Sequence, residues 1–185
     1  PQAGFARMFP GVDGQLCNTF FRHFVVEFDF IQNRILLHDP QAFQYPGEGS
    51  ILDMTQNSSG TFAVPFSFTT LDGNLYQGKA DIDLGGIYVF KVALNNPLNL
   101  PLPSGVKKVP GLSAPGRNPE YLGKIHSMSI GSYTIPRPTV VYGDETTSRI
   151  HPDNLGVIGL PLFSKFRTVF DYFSGKIWLE PNENF

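Results

Sequence analysis

The stretch Ala80-Asp81-Ile82-Asp83-Leu84-Gly85-Gly86 sets an acid between apolar neighbours on a glycine turn, at the end of a run that reads as a β-hairpin. An ionised carboxylate loses solvation among apolar side chains, so an acid placed there needs a partner, and Asp83 is a candidate functional carboxylate. Gly85 and Gly86 can take backbone angles closed to other residues. The chain can therefore turn sharply while its amides approach a ligand or the acid itself, which makes both glycines candidate binding positions. Asp-x-Gly is also an ordinary turn sequence, and the heptad alone fits a hairpin exit with a solvated acid equally well.

Working outward, Thr61 to Phe68 alternates apolar and small residues as a half-buried strand does, with Pro65 implying an edge or a bulge. Leu71-Asp72-Gly73-Asn74 supplies the turn, and the return strand from Leu75 delivers Asp83 to its loop. Gly86 to Ala93 reads as a strand leaving the loop. The proline-rich segment Asn95 to Pro119 suggests a surface excursion or a flap over a groove. Tyr121 to Ile130, the Gly131-Ser132 turn and Tyr133 to Val141 read as a further hairpin. Gly143 to Asn154 is a polar loop carrying Asp144, Glu145 and His151.

With 185 residues and 41% hydrophobic content the chain can build one sizeable core or two small lobes. Nineteen glycines, 16 prolines and 17 phenylalanines, with β-branched and aromatic runs between them, favour an all-β protein with many turns. The net charge of -2, with acids and bases interspersed, gives no field for nucleic acid or anionic lipid. No apolar run approaches the roughly 20 residues of a membrane span. The lone Cys17 excludes an intramolecular disulfide and a cysteine-based zinc site.

A repeat organises the chain further. Shifted by 142 positions, Gly14 to Leu37 falls on Gly156 to Leu179 with seven identities: Gly14/Gly156, Phe21/Phe163, Phe24/Phe166, Phe28/Phe170, Asp29/Asp171, Ile35/Ile177 and Leu37/Leu179. Each copy reads as a brief helix, a strand, a polar turn and a second strand. A repeat at this separation points to duplicated lobes.

Hydrophobic-Asp-x-Gly-small at Ile82 to Gly86 resembles the active-site loop of the aspartic peptidases. Gly156-Val157-Ile158-Gly159-Leu160-Pro161-Leu162-Phe163, continued by Phe166 to Tyr172 and Gly175 to Pro181, resembles the closing segment of a retropepsin-like or pepsin-like lobe. In that family a hydrophobic-hydrophobic-Gly run lies behind the active-site loop and precedes a short helix. The resemblance implies an aspartic-peptidase-like β-barrel lobe over 61–185, preceded by the C-terminal part of a duplicated first lobe over 1–45 and an interlobe linker over 46–60. Cys17 then stands where the family has glycine and reads as a small packed residue. The chemistry implied is peptide-bond hydrolysis by two carboxylates that share a proton and activate one water. Asp83 would supply one half, and the other would come from the rest of a first lobe or from a second copy of the chain. Leu84 departs from the family's Thr or Ser, whose hydroxyl locks the paired loops. A catalytically degenerate module that binds peptides or acts as a scaffold is therefore the alternative, and a barrel around a small apolar ligand is a third reading.

Other chemistries find less support. His23, His38, His126 and His151 lack metal-ligand spacing, no glycine-rich phosphate loop opens a helix, and Gly111-Leu112-Ser113-Ala114-Pro115 lacks the last glycine of a serine-hydrolase elbow. No metal and no cofactor is expected. The sequon Asn57-Ser58-Ser59 reads as a polar loop.

Overall fold

A computed structural model describes residues 11–57, 60–94, 100–109, 119–143 and 154–185. The described chain is all-β, with fifteen short strands and two four-residue helices, α1 (Asn18–Phe21) and α2 (Leu160–Phe163). Five strands form one sheet: β1 (Val25–Asp29), β2 (Arg34–His38), β3 (Ser50–Asp53), β14 (Phe166–Asp171) and β15 (Lys176–Pro181), in the order β2-β1-β14-β15-β3.

The other ten make a second sheet. They are β4 (Thr55–Gln56), β5 (Phe62–Thr69), β6 (Leu75–Asp83), β7 (Phe90–Ala93), β8 (Lys107–Val109), β9 (Glu120–Lys124), β10 (Ser127–Ile130), β11 (Tyr133–Pro136), β12 (Thr139–Gly143) and β13 (Gly156–Gly159). Their order is β11-β10-β5-β6-β13-β7-β12-β9-β8, with β4 paired to β5. One core joins the two sheets: Phe66 and Phe68 of β5, Phe90 of β7, Met128 of β10, Phe166 and Phe170 of β14, and Phe163 of α2 are all in a single buried cluster. Burying a phenylalanine side chain fully stabilises the fold by about 1.5–3 kcal/mol, so these rings carry much of the second sheet's cohesion.

The two segments that the 142-residue shift matches form the same elements in the same order. Under the 142-residue shift α1 coincides with α2, and β1 and β2 fall within β14 and β15. The copies meet along one antiparallel ladder in which Val25 faces Asp171, Glu27 faces Val169 and Phe28 faces Thr168. Glu27 and Val169 are counterparts, so a local two-fold passes between them. The shared acid explains itself: Asp29 accepts the Gln32 N–H (3.0 Å) and Arg34 Nε (3.1 Å), while Asp171 accepts the N–H groups of Phe173 (2.9 Å) and Ser174 (3.0 Å). Each carboxylate ties the turn of its own hairpin.

Several sequence expectations change. The stretch 46–60, read as linker, contains β3 and β4, because Ser50 to Asp53 completes the first sheet beside β15. Just before it, Phe43 and Tyr45 pack on Trp178 and cover the far face of that sheet. Gly86 to Ala93 is strand only over β7. The stretch 121–141 is the expected hairpin divided into four strands, with β10 pairing β11 and β9 pairing β12 in one continuous register. Lys107 to Val109, within the supposed excursion, pairs with β9. Pro65 sits inside β5 opposite Lys79 of β6, and on the other edge of the strand its partners leave a gap: β4 pairs with Phe62 and Ala63, and β10 with Ser67 to Thr69. Asp144, Glu145 and His151 lie outside the described residues.

Candidate functional site

β6 and β7 are consecutive in the chain but not neighbours in the sheet. β13 lies between them, parallel to β6 and antiparallel to β7, with Val157 opposite Asp81, Ile158 opposite Ile82 and Gly159 opposite Asp83. The hydrophobic-hydrophobic-Gly run therefore lies directly beside the Asp83 loop. Close approach requires its glycines: a Cβ on Gly159 would stand 2.0 Å from the Tyr88 carbonyl oxygen and 2.7 Å from that of Gly86, and one on Gly156 would stand 2.0 Å from the Lys91 carbonyl oxygen. Three backbone bonds hold the loop: Gly86 N–H to Asp83 O (2.9 Å), Leu160 N–H to Gly86 O (2.9 Å) and Gly159 N–H to Val89 O (3.3 Å).

Neither Gly85 nor Gly86 takes a positive φ, so crowding rather than special backbone angles explains them. The Gly85 N–H donates to Asp83 Oδ1 at 2.9 Å, and a Cβ on Gly86 would meet the Tyr88 ring at 2.9 Å. The second carboxylate oxygen, Oδ2, accepts the Tyr88 hydroxyl at 3.4 Å.

The expected loss of solvation falls on a different acid. Asp83 is exposed at the rim, whereas Asp81, two residues earlier on the same face of β6, is 2% exposed. Asp81 accepts Asn154 Nδ2 at 2.9 Å on Oδ2, and Asn57 Nδ2 (3.2 Å) and the Thr61 hydroxyl (3.4 Å) on Oδ1. It thus ties the segment before β5 to the segment before β13. The Asn57 amide is turned inward in this cluster and also donates to the Thr61 hydroxyl. That leaves its nitrogen engaged rather than presented for modification, in keeping with the polar-loop reading.

Asp83 opens onto a cleft of about 830 Å³. One wall is Ile82, Asp83, Leu84, Gly85 and Leu160; the other is Gln15 to Asn18, Phe21, Phe28 and the β1–β2 turn. Leu84 is half-buried against the main core. Tyr172 also lines the cleft, and burial pushes its hydroxyl well above the ordinary range, so the ring is neutral. Cys17, expected as a packed residue, is an exposed free thiol. Its Sγ lies 3.0 Å from the Thr19 hydroxyl, and hydrogen bonds from Thr19 lower its pKa. Its counterpart Gly159 is pressed by carbonyls, while among the described residues no loop presses on Cys17.

Among the described residues no cluster of three or more His, Cys, Asp or Glu could hold a metal ion, and no helix is long and apolar enough to cross a membrane. Sequence reasoning overlooked Asp81 and Tyr88. A strand's period of two puts Asp81 and Asp83 on one face, which was a usable signal for pairing them but not for ranking their depth.

No family model matches the chain, and no curated protein matches it. Among solved structures, a retropepsin-like aspartic protease from Rickettsia conorii is similar in fold, with a TM-score of 0.49 and 15% identity over 74% of this chain and 95% of its own.

Proposed function

We propose that the chain carries one half of an aspartic endopeptidase site, with Asp83 as one carboxylate of a dyad that activates water against a peptide bond. The observation that carries this reading is the position of Asp83: opposite Gly159, on a loop held by both flanking strands, at the mouth of a cleft. The opposite wall is built from Leu16-Cys17-Asn18, the counterparts of Ile158-Gly159-Leu160. The local two-fold makes that wall the natural seat for a second loop of the same kind, which supports a partner carboxylate facing Asp83. In this reading residues 1–45 close a first lobe, the remainder of which comes from upstream residues or from a second copy. Gly85, exposed in the cleft, offers backbone to an extended peptide, while Gly86 is buried with its N–H and carbonyl bonded within the loop.

Leu84 favours a second reading, a module that holds peptides in the same cleft without cutting them, since a leucine gives the loop no hydroxyl to lock against a partner. The two separate in one experiment. The longest natural polypeptide carrying these residues is incubated with an unstructured protein at acid and neutral pH, with Asp83→Asn alongside, and products are read by mass spectrometry. Cleavage by the parent alone supports the peptidase, peptide binding without cleavage supports the module, and equal cleavage by both removes Asp83 from the mechanism.

A further inference from the structure

Leu84 leaves the loop without a hydroxyl at its usual place, yet a hydroxyl reaches the carboxylate from elsewhere. We propose that Tyr88 is the positioning residue for Asp83, fixing the rotamer of the carboxylate from four residues beyond Leu84; this rests on the peptidase reading and assigns it one further residue.

Asp83 is gripped at both oxygens. The Gly85 N–H donates to Oδ1 at 2.9 Å, and the Tyr88 hydroxyl donates to Oδ2 at 3.4 Å, at the long end for a hydrogen bond. Two donors on opposite oxygens fix both χ angles of an aspartate, whereas one leaves the carboxyl free to turn at an exposed rim. The ring itself has little choice of place. A Cβ at position 86 would stand 2.9 Å from its Cζ and 3.1 Å from its hydroxyl oxygen, so Gly86 is the residue that lets it lie there. The backbone on either side is pinned, by Leu160 N–H to Gly86 O and Gly159 N–H to Val89 O. Neighbouring Ile87 is 69% exposed while Tyr88 turns inward.

Behind the ring stands a buried cation. Lys91 Nζ lies 5.2 Å from the Tyr88 ring centroid and 3.2 Å from Glu120 Oε1, with both Lys91 and Glu120 buried. A cation on the ring face holds the ring in place and draws electron density from the phenol, strengthening its O–H as a donor. Glu120, Lys91, Tyr88 and Asp83 thus form a connected line from the interior of the second sheet to the cleft.

The test follows the carboxylate directly. In protein labelled with 13C-aspartate, Tyr88→Phe should move the Asp83 carboxyl-carbon resonance while those of Asp81 and Asp171 stay, with an unchanged denaturant midpoint. Gly86→Ala, which displaces the ring while leaving its hydroxyl group in place on it, should move the same resonance. In turnover of a peptide, Tyr88→Phe should lower kcat about tenfold with KM within about twofold, the size of one hydrogen bond to a charged group. An Asp83 resonance that ignores both substitutions overturns the assignment. If the parent shows no turnover while the resonance moves, the peptidase reading fails and the role of Tyr88 in holding Asp83 stands.

Discussion

Ile35 is 55% exposed, and its counterpart Ile177, the same residue in the other copy of the repeat, is fully buried. Leu37 and Leu179 repeat the contrast, 45% against 0%. Both pairs face the same side of the five-stranded sheet, but the second copy is covered by β5, β7, β10 and α2, and the described residues bring no such cover to the first. An apolar face of this kind is one that another β-lobe would bury. Ile177→Ala should cost roughly 2–5 kcal/mol of stability, and Ile35→Ala less than about 1 kcal/mol in the 185-residue chain. Denaturant unfolding measures both. In a longer polypeptide that supplies the cover, the cost of Ile35→Ala should rise toward that of Ile177→Ala.

The two acids of β6 divide labour. Asp81→Ala leaves the inward amides of Asn57 and Asn154 without their shared acceptor and should destabilise the fold by about 3 kcal/mol or more. Asp83→Ala, at the exposed rim, should cost less than about 1 kcal/mol. Equal losses in a chemical denaturation series would contradict the division.

Gly159→Ala drives a methyl group into the Tyr88 and Gly86 carbonyl oxygens. The substitution should cost about 3 kcal/mol and loosen the loop. Cys17→Ala, at the counterpart position, should leave thermal stability within about 0.5 kcal/mol of the parent.

A pH dependence follows from Glu27, 4% exposed beneath the first sheet. Burial pushes its carboxyl up, but hydrogen bonds from Arg167 Nε (2.7 Å) and His38 Nε2 (3.0 Å), with the charge of Arg167, outweigh that and hold it below its ordinary value. A carboxylate whose folded pKa is depressed contributes stability that is present above the unfolded pKa of about 4.3 and is lost as pH falls through the folded value. The urea midpoint should therefore drop more between pH 6 and pH 3 in the parent than in Glu27→Gln.

The sequence was legible where local rules decide. The matching helix-and-hairpin segments could be read because Phe21, Phe28, Ile35 and Leu37 correspond to Phe163, Phe170, Ile177 and Leu179 around the turn acids Asp29 and Asp171, and an aspartate can cap a two-strand turn using its own neighbours alone. The β5–β6 hairpin followed the same logic, whereas the approach of Val157-Ile158-Gly159 to Asp83, a pairing between distant segments, was implied only by the family resemblance. What stayed hidden depends on distant partners. Nothing local in Ser50 to Asp53 tells a linker from an edge strand, since its partner is β15, more than a hundred residues later. The alternation Ala80-Asp81-Ile82-Asp83 put both acids on one face, but only Asn57, Thr61 and Asn154 decide that Asp81 is covered and Asp83 is not.

The most direct test of the account is kcat/KM for one peptide, measured with the longest natural polypeptide carrying these residues and with its Asp83→Asn variant at matched denaturant midpoints. Loss of the ionisable half of a dyad should lower kcat/KM by about a thousandfold or more. A variant that cuts as fast as its parent would contradict the assignment of Asp83.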